Sequence, residues 1–245
     1  MGARQAAGAR LRCFYSGRRG SRGWLIYGTL PMKEHARRHA AWWGRHEFKH
    51  PGRRLSAVAT APVSEAPATL HALLRTATAE SHARLHLHAG FKAIQDNTIS
   101  LAAYRALLAR LLGFYLPFEA ATGIGNERSA WLAADLRALG AAPDQIALCP
   151  AMPGLATDAA RLGAAYMAEG SLLGGRDLAR KLDHLLGEGV LDGRRFFTGR
   201  GAATGAAWRD FLTRLAAAET GHDAAAAAAA SFSVFESWMG GWRAA

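Results

Sequence analysis

From residue 66 onward, apolar positions recur at alternating steps of three and four, the period of helices that bury one face. A first helix is predicted over 66–88, with the fold beginning near Ser64 and Pro67 suited to a helix's first turn. A second follows Ser100, a good N-cap, and carries Leu101, Tyr104, Leu108, Leu111 and Tyr115 as one buried stripe, with Pro117 expected to bend or end it. A third runs through Trp131, Leu132, Leu136 and Leu139 and stops at Gly140. A fourth spans 157–186. Thr204 is placed to cap a fifth through Trp208, Phe211, Leu212 and Leu215. The last contains the alanines of 224–230, then Phe232, Phe235, Trp238 and Met239. Connections containing Gly or Pro separate these segments, and no repeat relates them. The pattern predicts an all-α domain over 64–243, a compact bundle of six or more helices.

Composition agrees: half of the 245 residues are hydrophobic, Ala and Leu dominate, and strand-forming Val, Ile and Thr are sparse. The formal charge of +11 changes meaning once it is located. Residues 1–54 hold 13 Lys and Arg against two acids, Glu34 and Glu47, whereas the rest of the chain carries 17 of each sign. The predicted domain is neutral, and the basic character belongs to a leader over residues 1–60, expected to be a disordered extension without catalytic work. A transit peptide, or translated upstream sequence ahead of a later start at Met32, would read the same way. Within it, His35/His39 and His46/His50 have helical metal-site spacing but no acid or cysteine cluster beside them. A basic stripe gives salt-dependent affinity for nucleic acid, yet no recognition fold accompanies it, so no nucleic-acid partner is expected. Two distant thiols, Cys13 and Cys149, make no disulfide framework and fit a reducing compartment. No stretch approaches the roughly 20 apolar residues of a membrane span, and no secretory signal is evident. The expectation is a cytoplasmic protein with no membrane partner.

Two features exceed what a generic bundle needs. The run Gly170-Ser171-Leu172-Leu173-Gly174-Gly175 lies inside an otherwise good helix, where each glycine costs about 0.8–1 kcal/mol relative to alanine. Gly170 and Gly174, one turn apart, share a face; either a neighbouring helix packs closely there or a flat ligand lies against the backbone. The second feature is the group His82, His86 and His88, of which His82 and His86 share a face. A neutral imidazole can hold haem iron from one side and leave the other open. Zinc would need a third ligand that this spacing does not supply, and neither Glu119 nor Asp183 can be placed from sequence alone.

The run LRTATAESHARL within residues 73–85 resembles the proximal helix of the haem oxygenases, and YMAEGSLLGG at 166–175 is similar to their distal helix. YRALLARLLGFYLPFE (104–119), DLRALG (135–140) and FFTGRGAATGAAWRDF (196–211) continue the likeness in order, over about residues 66–240. The likeness is strongest to bacterial members that supply biliverdin to bacteriophytochromes. It implies His82 as axial ligand of the haem iron, Gly170 and Gly174 as distal glycines against the porphyrin, and Tyr115 and Ser171 as the groups of the distal hydrogen-bond network. Two positions depart from the family: Ser171 stands where many members carry an aspartate, and His86 where an acid often follows the ligand by one turn. A hydroxyl can donate a hydrogen bond or hold water but cannot stabilise charge as a carboxylate does.

The resemblance implies oxidative cleavage of haem to biliverdin with release of iron and CO. Haem would be both substrate and cofactor, with O2 and an external electron donor, a reductase or ferredoxin. Arg176, Arg180, Lys181, Arg194, Arg195 and Arg200 are available to the propionates. Rival readings are a non-catalytic haem carrier on the same fold, favoured by Ser171, and a thiaminase-like member of the same helical superfamily, for which Cys149 beside Pro150 is poorly placed. Because charge and periodicity both separate residues 1–60 from the rest, a chain beginning at Leu55 should bind hemin with unchanged affinity and absorption spectrum. Loss of binding in a truncated chain that stays helical by circular dichroism would refute this.

Overall fold

Ten short helical segments, without a strand among the described residues, carry the chain in a computed structural model that describes residues 69–218 and 221–244. The predicted extension 1–60 and the predicted domain start near Ser64 and Pro67 lie outside the described residues. Helix α1 (Leu70–His86) is capped by Thr69, whose Oγ1 accepts the Ala72 amide at 3.2 Å. It stops short of the predicted His88, and a second helix, α2 (Ala89–Gln95), begins there. His88 is its N-cap. Nδ1 accepts the Gly90 amide at 3.2 Å, which puts the ring proton on Nε2, 3.0 Å from the Met239 carbonyl.

Helix α3 (Leu101–Thr122) is capped by Ser100, as its position before the apolar stripe predicts. Tyr104, Leu108, Leu111 and Tyr115 are buried, but Leu101 is exposed. Leu107, Leu112, Phe114 and Phe118 are buried as well, so α3 is enclosed around most of its circumference rather than along one stripe. This corrects the expectation that no segment has the makings of a membrane span: α3 alone among the described helices is long and apolar enough to cross one, and more than half of its apolar window is buried in the bundle.

Pro117 neither ends nor interrupts α3. A proline leaves the carbonyl four residues back without its helical donor. Here that carbonyl belongs to Gly113, and the Cys149 amide takes it at 2.9 Å. Gly113 also admits the same connection sideways, because a Cβ there would lie 2.2 Å from the Ala147 carbonyl oxygen. The pair Gly113 and Pro117 thus forms a notch that seats the 139–157 connection.

Helix α4 (Glu127–Ala138) follows, and the chain leaves it through Gly140 at φ +74°. The predicted fourth helix is two: α5 (Asp158–Lys181), capped by Thr157, and a single turn α6 (Asp183–Leu186). The short α7 (Arg195–Thr198) was not foreseen. Its first amides, of Arg195 and Phe196, donate to the Asp135 carboxylate at 2.8 and 2.9 Å. Burial pushes the Asp135 carboxyl up to about 6 despite these bonds. After a 3-10 turn (Gly201–Ala203) comes α8 (Thr204–Ala216), of which Thr204 is the first residue and not the cap; its buried hydroxyl has no partner. Helix α9 (His222–Met239) completes the bundle.

Helix α9 lies against both α1 and α5. Along α1 the pairing runs in one direction: Leu74 with Ala224 and Ala228, His82 with Phe232, Arg84 with Glu236, His88 with Met239. Against α5 the approach is closest at Gly163, where a Cβ would stand 2.0 Å from the Ala224 carbonyl oxygen.

Gly113→Ala should lower the melting temperature by several degrees. The added methyl meets backbone that cannot yield, at a cost of about 1–3 kcal/mol, which outweighs the helix preference for alanine; equal stability would show that the connection is not seated there. His88 gives a pH dependence. Burial holds its imidazole below the usual histidine range, the Met239 bond only partly opposing this. The neutral ring's contribution is complete above the ordinary pKa near 6.5 and is lost as pH falls toward the lowered folded value. Wild type should therefore lose stability relative to His88→Asn, a cap that does not titrate, between about pH 7 and 5 in thermal melts. Parallel curves would contradict the capping geometry.

Candidate active site

The buried face of α1 runs Leu74, Thr78, then half-buried His82 and Leu85, at helical spacing. The ring of His82 stands edge-on to Phe232 of α9, centroids 6.2 Å apart, and to His86 at 4.6 Å. His88, the third of the group, has both ring nitrogens engaged in capping and in the Met239 bond, which leaves none for a metal. Among the described residues no three His, Cys, Asp or Glu side chains gather into a metal-holding group.

Helices α1 and α5 meet through Leu74, Ala165 and Tyr166, which share one small apolar cluster. Further along α5 come the glycines, and the structure separates their roles. Gly163 and Gly175 are required by packing: a Cβ at Gly175 would lie 2.6 Å from the Phe197 carbonyl oxygen of α7. Gly174 is different. Among the described residues no atom beyond its own stretch of helix lies within 4 Å of where its Cβ would be. Of the two explanations open in the sequence, close helix packing holds for Gly175 and fails for Gly174, whose missing side chain opens space that no protein atom fills. Gly170, one turn earlier, is buried.

Ser171, three residues before Gly174 and on its side of the helix, is exposed, and the buried Tyr115 of α3 reaches it: the two hydroxyl oxygens are 3.4 Å apart. Ser171 spends its own proton on the Ala168 carbonyl at 2.8 Å, so Tyr115 is the donor of the pair. Burial pushes the Tyr115 phenol up, opposed by the Arg128 charge and the Ser171 bond. The ring also touches Phe235 of α9 and Phe196 of α7, at 6.3 and 5.3 Å. Through Phe232 and Phe235, α9 connects the His82 side to the Ser171 side.

Behind this pair lies a chain of charges. Glu119, one turn after Tyr115, accepts the amides of Arg128 and Ser129 at 2.9 and 3.1 Å and so caps α4 from another helix. The fully buried Arg128 guanidinium donates to Glu169 at 2.8 Å and to the Ala168 carbonyl at 3.3 Å, and its Nη1 lies 3.7 Å from Glu119 without a hydrogen bond. Arg200 joins Glu169, at 2.7 Å, to Glu127. Burial acts to raise the Glu169 carboxyl, but the Arg200 bond and the Arg128 charge prevail and hold it below the usual carboxylate range.

Sequence reasoning reached Tyr115, Ser171, Gly170, Gly174 and His82, and the structure brings Tyr115 and Ser171 together. It missed the charge chain. The available signal was Glu119 one turn beyond Tyr115 and a lone Glu169 in the small-residue run before Gly170. Two of the six cations offered to propionates are structural instead. Arg194 is buried against Ala179, Asp183 and Gly187, and Arg200 is held by its two glutamates. Arg180 and Arg195 pair with Asp177 and Asp192, while Arg176 and Lys181 are exposed. Cys149 is buried, its thiol 3.3 Å from the Ala151 carbonyl, in the connection seated on α3.

No curated protein matches the chain. The family model described as heme oxygenase matches residues 68–240, from the start of α1 to the end of α9, and so takes in His82, Tyr115 and the glycines of α5; the chain belongs to the heme oxygenase family.

Proposed function

We propose that the chain performs the family's reaction, oxidative cleavage of haem to biliverdin with release of iron and CO, using O2 and electrons from an external reductase or ferredoxin. The observation that carries this reading is the uncontacted Gly174. A glycine inside a long helix costs about 1 kcal/mol, and here no neighbouring atom requires it. A flat ligand lying against the α5 backbone does. The residues present fit that ligand: His82 on α1 offers one imidazole to the iron, and Gly170 and Gly174 let the α5 backbone approach the other face.

Bound haem supplies the iron that activates oxygen and the meso carbon that is cleaved. His82 would hold the iron. Gly170 and Gly174 would bring the α5 backbone close to the ligand without side chains and so limit the space beside it. Tyr115 donates to Ser171 Oγ, which keeps a lone pair to accept from a water, so the pair can order the water that would supply protons there. Arg176 and Lys181 are the exposed cations suited to the propionates. A non-catalytic carrier would bind haem at the same residues; the buried tyrosine delivering a proton donor to exposed Ser171 favours turnover. Supply of biliverdin to a bacteriophytochrome, in the cytoplasm, completes the proposed setting.

His82→Ala should shift the Soret band of the hemin complex and recover it partly with added imidazole, while His86→Ala should keep histidine-like ligation; the opposite pattern would assign the ligand to His86. Gly174→Ala should leave the apo-protein as stable as wild type or up to about 1 kcal/mol more so, since alanine is the better helix former and the space is open. The same methyl should slow single-turnover biliverdin formation or change which isomer appears. Wild-type rate and product would remove Gly174 from the site, and hemin binding without biliverdin in wild type supplied with ascorbate in air would leave the carrier reading.

A further inference from the structure

The carboxylate that many family members place directly after the first distal glycine is absent, yet a carboxylate stands two residues earlier in this chain, on the far side of the same helix. Glu169 is nine-tenths buried and holds the Arg128 guanidinium through Nη2 at 2.8 Å. The same guanidinium points Nε at the Ala168 carbonyl, 3.3 Å away. That carbonyl is also the acceptor of the Ser171 hydroxyl, at 2.8 Å. One oxygen therefore receives a buried cation from behind and the site hydroxyl in front. Donors that share one carbonyl oxygen compete for it, and by taking Nη2 at 2.8 Å Glu169 keeps the cation at a longer 3.3 Å from that oxygen, which leaves it the acceptor of the Ser171 proton. Its hold on the Ser171 proton decides which lone pair Ser171 turns outward and makes Tyr115 the donor between them.

We propose that Glu169, acting through Arg128 and the Ala168 carbonyl, is a positioning residue that fixes the donor order of the Tyr115–Ser171 pair. The inference rests on the site reading above but makes its own claim: the acid has not been lost from this site, it works through a guanidinium instead of facing the ligand. Arg200 supplies the contrast. It binds the same Glu169 carboxylate and ties it to Glu127 but touches neither Ala168 nor Ser171 in this network. A purely structural cluster would make Arg200 and Arg128 equivalent; a positioning chain would not.

Two measurements test this. In the hemin complex, the pH midpoint of the ferric absorption change reports hydrogen bonding beside the iron without requiring turnover. Ser171→Ala should move it, Glu169→Leu should move it in the same direction by about half a unit or more, and the double variant should move it scarcely further than Ser171→Ala alone, the non-additivity of groups acting in series. Glu169→Gln, which keeps an acceptor for Arg128, should restore most of the wild-type value, and Arg200→Gln should leave the midpoint in place while lowering the melting temperature. In the apo-protein, where haem chemistry plays no part, crystal structures of Glu169→Leu and Glu169→Gln should show Ser171 released from Ala168 in the first and retained in the second. If Glu169→Leu does not fold, Glu169→Thr replaces it, because its side chain is too short to hold Arg128. Additive midpoint shifts, an equal shift from Arg200→Gln, or a Ser171 hydroxyl still on Ala168 in Glu169→Leu or its replacement would overturn the proposal. A protein that binds no hemin would refute the function proposed above while the apo structures still decide this one.

Discussion

The α9 backbone rests on Gly163 of α5 with no room for even a methyl group, and the placement of everything at the site follows from that contact. Two helices that must hold a ligand between them cannot also be positioned by packing on each other along the ligand's length. Here α1 and α5 share an apolar cluster through Leu74, Ala165 and Tyr166, with His71 beside the Tyr166 ring, and a third helix lies against both. Helix α9 is seated on α5 at its start. It then carries Phe232 to His82, Glu236 to Arg84 and Phe235 to Tyr115 as it runs along α1. The Arg84 end of the Arg84–Glu236 pair is exposed and screened by solvent; the backbone contact at Gly163 is the stricter constraint, because steric exclusion is not screened.

Glycine in this chain therefore has two opposite uses within one helix. At Gly163 and Gly175 the absent side chain lets protein backbone in, from Ala224 and Phe197. At Gly174 it keeps protein out. All three cost the helix about the same intrinsic stability, but only the first two are repaid in apo-protein packing. Spacing puts Gly170 and Gly174 on one face, but that packing requires Gly175 and not Gly174 shows only once α7 is in place.

The same distinction explains what was legible beforehand. The cap at Ser100 could be read because a cap is a bond three residues long. The Tyr115–Ser171 pair was reached through family likeness, since nothing local links positions 56 residues apart. Pro117 does not end α3, and the carbonyl it leaves free takes a donor, the Cys149 amide, from a part of the chain that local sequence cannot place. Helix α2 was missed because its cap is a histidine, a residue whose spacing had suggested metal binding, and α7 because its cap, Asp135, lies 60 residues away. Charges were the least legible. Glu119, Arg128 and Glu169 look in the sequence like the solvated faces of amphipathic helices, and only the fold puts them out of water.

Burying those charges is expensive unless each is paired and hydrogen-bonded, and the chain alternates sign along Glu119, Arg128, Glu169, Arg200 and Glu127 so that no cation stands beside another. An apolar core of the same volume would serve stability as well or better. What it could not do is put a full charge behind the helix that lines the site while leaving residue 171 uncharged. Ser171 faces outward with a neutral hydroxyl, and Tyr115 donates to it from a buried phenol that its surroundings keep protonated. The departure from the family at residue 171 and the buried ion chain then become one arrangement. The charge sits behind α5 and acts through the Ala168 carbonyl, and residue 171 presents a hydroxyl where many members of the family present a carboxylate.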